Sequence, residues 1–372
     1  MEHSFTTQIK EVLQAEFGRL AERVFESSPL IQYLNIKTRS ASRGSKSRGS
    51  FANLYAVYVL VEDYIAHRYH KTGDYTRYEG AVFSHLFKRQ RELPFGSKLQ
   101  NHALNHRLNE EFRKYFPACE YVPILRNVET NRYWVNENLL KLRLGNRTYN
   151  LATCVVQIID SYIEAKQSAF ESFIRACQEL QAIPIQDLGR SKAFVLSLLA
   201  LNVDARIFEI VSYSILKYYY HDQTIYFGFE LENLTKENLK LFKTGRTNAN
   251  DGGIDFVMKP LGRFFQVTET LDARKYLLDI DKVEKYPITF VIKSTEDVDT
   301  LRAKLGERAQ RQYSIKQIID RYMSSIEEII NIPILIERLE GAVEQGYLRH
   351  ILEEITRQSK VEFNYPEADE TV

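Results

Sequence analysis

Apolar positions recur at helical spacing through much of this 372-residue chain. Ile9, Val12, Leu13, Phe17, Leu20 and Val24 predict an amphipathic helix over 6–26. A second, aromatic helix is predicted over 51–69, with Ser50 as its N-cap. Residues 80–115 read as helix with a break at Leu93–Gly96. Residues 120–150 are mixed: VPILRN and YWVNEN predict a short strand pair, and Gly145-Asn146 a turn. Two helices are predicted over about 151–165 and 167–182, followed by a linker at Ile183–Gly189.

The pattern then changes. Helices are predicted over 191–202 and 204–219, and a strand over 224–231. LTKENLKLF reads as a short helix or loop. IDFVM (254–258) and RFFQVTE (263–269) read as strands around the tight turn Lys259–Gly262. A helix over 273–286 and an apolar strand, PITFVIK, follow. Helix alternating with strand is the α/β pattern. From about 299 to 358 the chain returns to helices, IKQIIDRYMSSIEEII among them. The expected organisation is a large, mostly helical region at 1–185, an α/β core with a mixed central sheet flanked by helices at 186–296, and C-terminal helices at 297–372 that buttress the core or dimerise.

Composition narrows the class. Hydrophobic residues make up 44% and charged residues 27%, the balance of a globular protein rather than a disordered one. No run of about 18 uncharged apolar residues is present, so no membrane span is expected. The N-terminus carries an early acid and lacks the apolar stretch of a signal peptide. Three widely spaced cysteines fit a reducing cytoplasm better than a disulfide framework. The net charge of +1 means that any nucleic-acid site must be a local patch. The stretch 37–50 is such a patch: Lys37, Arg39, Arg43, Lys46 and Arg48, without one acid. It is expected to grip phosphates, releasing counterions, or else to be a solvated loop. Gln100, Asn101, Asn105 and Arg107 bring together side chains that read base edges, or else form a polar helix surface. His102 and His106 are spaced i, i+4, but without the glutamate of an HExxH phrase zinc is not the expected reading.

The densest chemistry lies in the second region. Glu209 sits in the helix ARIFEIVSYSILKYYY, and a loop, GRTNANDGG, carries Arg246 and Asn248. Asp255 opens the first strand of the hairpin. Gln266 and Thr268 lie on the second and point the same way, because side chains alternate along a strand.

This succession, FE, then DGGIDF, then FFQVTE, resembles the PD-(D/E)XK nuclease superfamily, in particular restriction endonucleases of the Mrr-like type. The resemblance covers about 205–293. It implies Mg²⁺-dependent hydrolysis of DNA phosphodiesters, with Glu209, Asp255 and Gln266 as metal ligands. Thr268 stands where the family usually has lysine, so the group that handles the attacking water is open. Thr268 can orient water but cannot bear charge, and Lys275 or Lys259 is the candidate cation. The expected function is a type II restriction endonuclease, a cytoplasmic homodimer acting on double-stranded DNA with a cognate DNA methyltransferase as its genetic partner. Arg39, Arg43, Lys46, Arg48, Gln100, Asn101, Asn105, Arg107, Arg246 and Asn248 are the expected DNA contacts. The competing readings are a modification- or structure-dependent nuclease and a DNA-binding protein with a degenerate nuclease core.

Overall fold

The computed structural model describes residues 2–39, 47–97, 99–182, 188–244, 254–269, 276, 279–281, 286–313 and 315–363, with backbone only at 47–49, 188 and 312. The protein is mixed α/β, and its contacts divide it into two units, Met1–Glu171 and Ser172–Val372. The division falls inside a long helix; the boundary expected at 185/186 lies outside the described residues.

In the first unit, helices α1 (Thr6–Phe17), α2 (Ala21–Ser27), α3 (Pro29–Thr38) and α4 (Ser47–Ala66) come first. The single helix expected over 6–26 is broken at Gly18, whose φ of 52° interrupts it before a short turn restarts it. Helix α4 is apolar nearly all round, so it runs through the core: Leu54, Tyr55, Ala56, Val61 and Tyr64 are fully buried. A two-residue strand β1 (Ala81–Val82) leads into α5 (Phe83–Glu92), and α6 (Leu108–Tyr115) follows a π-helical turn at Ala103–Arg107. Strands β2 (Ile124–Asn127) and β3 (Arg132–Val135) pair antiparallel, with β1 on the other side of β3. After the short helix α7 (Glu137–Leu140), β4 (Lys141–Leu144) and β5 (Arg147–Asn150) form a hairpin whose turn is Gly145-Asn146. The two helices expected next are one, α8 (Ala152–Gln181); no glycine or proline separates them.

The second unit is built around α10 and a five-stranded sheet. Helices α9 (Leu188–Ser197) and α10 (Ala205–Tyr219) precede the hairpin β6 (Thr224–Phe227) and β7 (Thr235–Asn238). Strand β8 (Lys240–Lys243) follows, so LTKENLKLF holds two strands rather than a helix or loop. Then come β9 (Phe256–Lys259), β10 (Arg263–Thr268) and β11 (Ile288–Ile292). Of the helix expected over 273–286, the described residues Tyr276 and Asp279–Asp281 are helical. Helices α11 (Val298–Gln312) and α12 (Lys316–Ser324) lead to a strand, β12 (Ile326–Ile330), and to α13 (Ile332–Glu344) and α14 (Leu348–Phe363).

The sheet order is β12-β11-β10-β9-β8. Strands β8, β9 and β10 are antiparallel, while β10, β11 and β12 are parallel, so the sheet is mixed. Both faces are covered. Phe256, Phe265, Val291 and Ile330 pack with α10, α13 and α14, whereas Phe264, Ile288, Phe290 and Ile292 pack with Tyr276, Ile280 and Leu301.

A charged cluster ties α14 to α10. The buried Glu354 carboxylate accepts from Lys217 at 2.9 Å, Gln358 at 2.7 Å and Arg357 at 2.7 Å. Burial presses this carboxyl upward, but the three donors outweigh it and hold it below the ordinary glutamate value. A lowered folded value means that the stabilisation is present above the unfolded pKa and is lost as pH falls through the folded one. Glu354→Gln is therefore expected to cost about 1–3 kcal/mol near neutrality. The deficit should shrink as urea midpoints are measured from pH 6 down through 4, and a constant deficit would remove the charge from the account.

Candidate active site

One end of the five-stranded sheet collects the residues singled out in the sequence. Because β9 is antiparallel to β10, the start of β9 and the end of β10 lie together. Lys243 ends β8, Asp255 immediately precedes β9, Thr268 ends β10 and Lys293 immediately follows β11. The carboxyl ends of parallel strands are where α/β sheets place ligands.

Asp255 is fixed by the hairpin itself. Its backbone N–H donates to the Phe265 carbonyl at 2.9 Å, and its carbonyl accepts from the Thr244 N–H at 3.1 Å. Its Oδ2 accepts from the Val267 N–H at 2.7 Å, which holds the carboxylate beside β10. Gln266 lies across from Asp255 and is buried. Its Nε2 donates to the Val267 carbonyl at 3.3 Å, but its Oε1 is sealed from solvent with no hydrogen-bond partner among the described residues. A buried amide oxygen without a donor is a costly arrangement, one that an approaching cation would relieve.

Strand alternation separates the constellation into two faces. Phe265 and Val267 belong to the α10 face, so Gln266 and Thr268 share the opposite face with Phe264. Thr268 is buried there, with its carbonyl accepting from the Lys293 N–H at 2.9 Å. Glu209, on α10, is on the other face and pairs with Lys243 Nζ at 2.8 Å.

Two lysines that the sequence reading passed over stand at this end. Lys243 closes on Glu209 with both side chains largely buried. Lys293, whose side chain is 2% exposed, donates to Glu269 at 2.8 Å and to the Val203 carbonyl, and its ammonium lies 5.5 Å from the centre of the Phe208 ring. Phe208 and Glu209 thus bring α10 against both ammonium groups. Lys293 is visible in the sequence as a charge ending the mostly apolar strand Ile288–Ile292; Lys243 is hidden because nothing local marks β8 as a strand. Lys275, Arg246 and Asn248 lie outside the described residues, and Lys259 is at the opposite end of β9, with its ammonium 5.5 Å from the Phe242 ring centre.

The expected DNA contacts of the first unit are distributed differently. Arg43 and Lys46, and the side chain of Arg48, lie outside the described residues, and Arg39 is exposed just after α3. Lys37 belongs to α3 and pairs with Glu111 at 2.7 Å. Asn105 accepts from the Tyr133 hydroxyl at 3.0 Å, whereas Gln100 and Arg107 are exposed and Asn101 is half-buried. Among the described residues, no three of histidine, cysteine, aspartate and glutamate gather as a metal cage.

No protein-family model, curated protein or solved structure matches this chain. No helix among the described residues is long and apolar enough to cross a membrane.

Proposed function

We propose that the second unit is a Mg²⁺-dependent DNA nuclease and that the chain is a type II restriction endonuclease. The observation that carries this reading is the buried, unpartnered Oε1 of Gln266 across the hairpin from the Asp255 carboxylate. Two hard oxygens at one place fit Mg²⁺, which keeps several waters and takes only one or two carboxylates from protein, completing its shell with phosphate oxygens. When bound, Mg²⁺ supplies Lewis-acid stabilisation and an activated water. A mixed sheet flanked by helices further supports the nuclease core that the sequence resemblance implies.

The chain's own groups then have distinct tasks. Asp255 and Gln266 hold the cation, and Asp255 is oriented by the Val267 N–H. Thr268 orients the attacking water by its hydroxyl. Lys293, one residue beyond the neighbouring strand, pairs with Glu269 and meets Phe208 of α10, so it adds positive charge on the opposite face from Thr268 and does not stand in the place of the lysine missing at 268. Glu209 and Lys243 buttress the other face, and Glu209 meets the metal only by exchanging its lysine partner. The exposed bases of the first unit grip the duplex, in a homodimer that presents one site to each strand.

Purified protein is expected to cut unmodified plasmid into discrete bands in Mg²⁺ and to do nothing in EDTA. A smear, or cutting confined to modified plasmid, favours the broader nuclease reading, and binding without cutting favours a degenerate core. Thr268→Ala should slow the chemical step about 10–100-fold with DNA affinity unchanged, the pattern of an interaction made only in the transition state. An unchanged single-turnover rate would take the water from Thr268.

A further inference from the structure

A second place in the molecule is built to hold a ligand, and it lies entirely in the first unit. A cleft of about 890 Å³ opens between α4, α5 and the segment leading into β1. That is the size range of small-molecule sites. One wall is aromatic: His67, Tyr69 and Tyr78 have ring centroids 4.8 to 6.2 Å apart, and each ring is at least partly exposed to the cleft. The wall is rigid. Tyr78 donates its hydroxyl to Asp63 Oδ2 at 2.7 Å, and its carbonyl accepts from Trp134 Nε1 at 2.7 Å. Gly80, at φ 89°, lies so close under Trp134 that a Cβ would come within 2.6 Å of the indole.

The rest of the lining is charged in both senses. Glu62 takes two hydrogen bonds from Arg89, at 2.7 and 2.8 Å. Asp63 has the Tyr78 hydroxyl and, 3.5 Å away, the His67 ring, and burial still holds its carboxyl above the ordinary aspartate value. A donor arriving from a ligand would relieve that burden. Arg77 and Arg132 also line the cleft; Arg77 pairs with Asp74 at 3.2 Å and Arg132 donates to the Gly80 carbonyl at 2.9 Å.

We infer that this cleft binds a nucleotide whose base carries an exocyclic amino group, cytosine or adenine. The flat base stacks on the His67, Tyr69 and Tyr78 wall, its amino group donates to Asp63, and its phosphate meets Arg77 and Arg132. Each part matches a known habit of recognition: bases stack on aromatic rings, carboxylates accept from the amino group of cytosine, and guanidinium groups fork onto phosphate. A methylated ammonium would also suit the rings, but Arg77, Arg89 and Arg132 balance Glu62, Asp63 and Glu79, so the lining offers a cation no net attraction. The nucleotide is either free or part of a strand, its base turned out of the stack. The inference stands independently of the nuclease reading, since it is tested by binding alone.

The test titrates the full-length protein with CMP, AMP and UMP by calorimetry, with fluorescence of Trp134, the chain's one tryptophan, as a second reading. CMP or AMP should bind at least about tenfold more tightly than UMP. Exposed His67→Ala and Asp63→Asn should each weaken that binding about tenfold or more. Should the mononucleotides be silent, a duplex with one unpaired cytosine or adenine should bind with the same base preference and the same sensitivity to both variants, which identifies the strand as the source. No binding of either form at millimolar nucleotide, equal affinity for UMP, or indifference to both variants overturns the inference.

Discussion

Asp255→Asn protein is expected to bind DNA as well as wild type and to cut it at least about a thousandfold more slowly. Asparagine keeps an oxygen that can accept the Val267 N–H, the 2.7 Å bond that fixes this side chain beside β10. The hairpin is therefore preserved, and only the negative charge is removed. Loss of that charge weakens the hold on a divalent cation and lessens repulsion toward phosphate, so binding and cutting should separate. Raising Mg²⁺ should recover part of the rate if weaker cation binding contributes to the defect. Near-wild-type cutting by a folded Asp255→Asn protein would remove Asp255 from the site.

Lys243→Met is expected to destabilise the second unit by about 3–5 kcal/mol, because it takes an ammonium partner from a carboxylate that is almost wholly buried. Glu209 and Lys243 face each other at 2.8 Å with side-chain exposures of 8% and 11%. The attraction of such a pair offsets the cost of taking both charges from water, and the cost remains when one partner goes. Pairing the substitution with Glu209→Leu should return most of the lost stability, since both charges of the pair are then removed together. Urea denaturation of the four proteins in the cycle measures it. A Lys243→Met cost under about 1 kcal/mol would mean that Glu209 is satisfied without the lysine.

How far the second unit could be read in advance depended on where each strand finds its partner. Strands β9 and β10 are joined by a tight turn and announce themselves locally, and β11 is a run that is apolar but for Thr289. Strand β12 is different. Ile326, Ile329 and Ile330 stand at i, i+3 and i+4, so the segment reads as the end of a helix. What makes it a strand is parallel pairing with β11, a partner from beyond two intervening helices. Strand β8 is short, begins and ends in lysine, and leaves Phe242 exposed, so nothing local distinguishes it from a loop. The candidate site inherits this asymmetry. Asp255, Gln266 and Thr268 belong to the locally readable hairpin, while Lys243 and Lys293 reach the same end only through the sheet. Alternation placed Gln266 and Thr268 on one face in advance, but not Glu209 on the other, because only the packing of α10 decides that.

That packing also orders events during synthesis. The buried side of α10, with Phe208, Ile215 and Leu216, is covered by Leu335, Leu339, Ile351 and Ile355 of α13 and α14, which are made more than a hundred residues later. At about 5–20 residues per second, a ribosome delivers that cover several seconds after α10 has emerged. Throughout that interval α10 has the sheet residues Phe256 and Phe265 to pack on but lacks its cover from α13 and α14. A chain interrupted before α13 would leave α10 without this packing. The second unit can thus be completed only once α13 and α14 have been made, so a stalled or clipped product that lacks them is incomplete at the helix that holds Glu209.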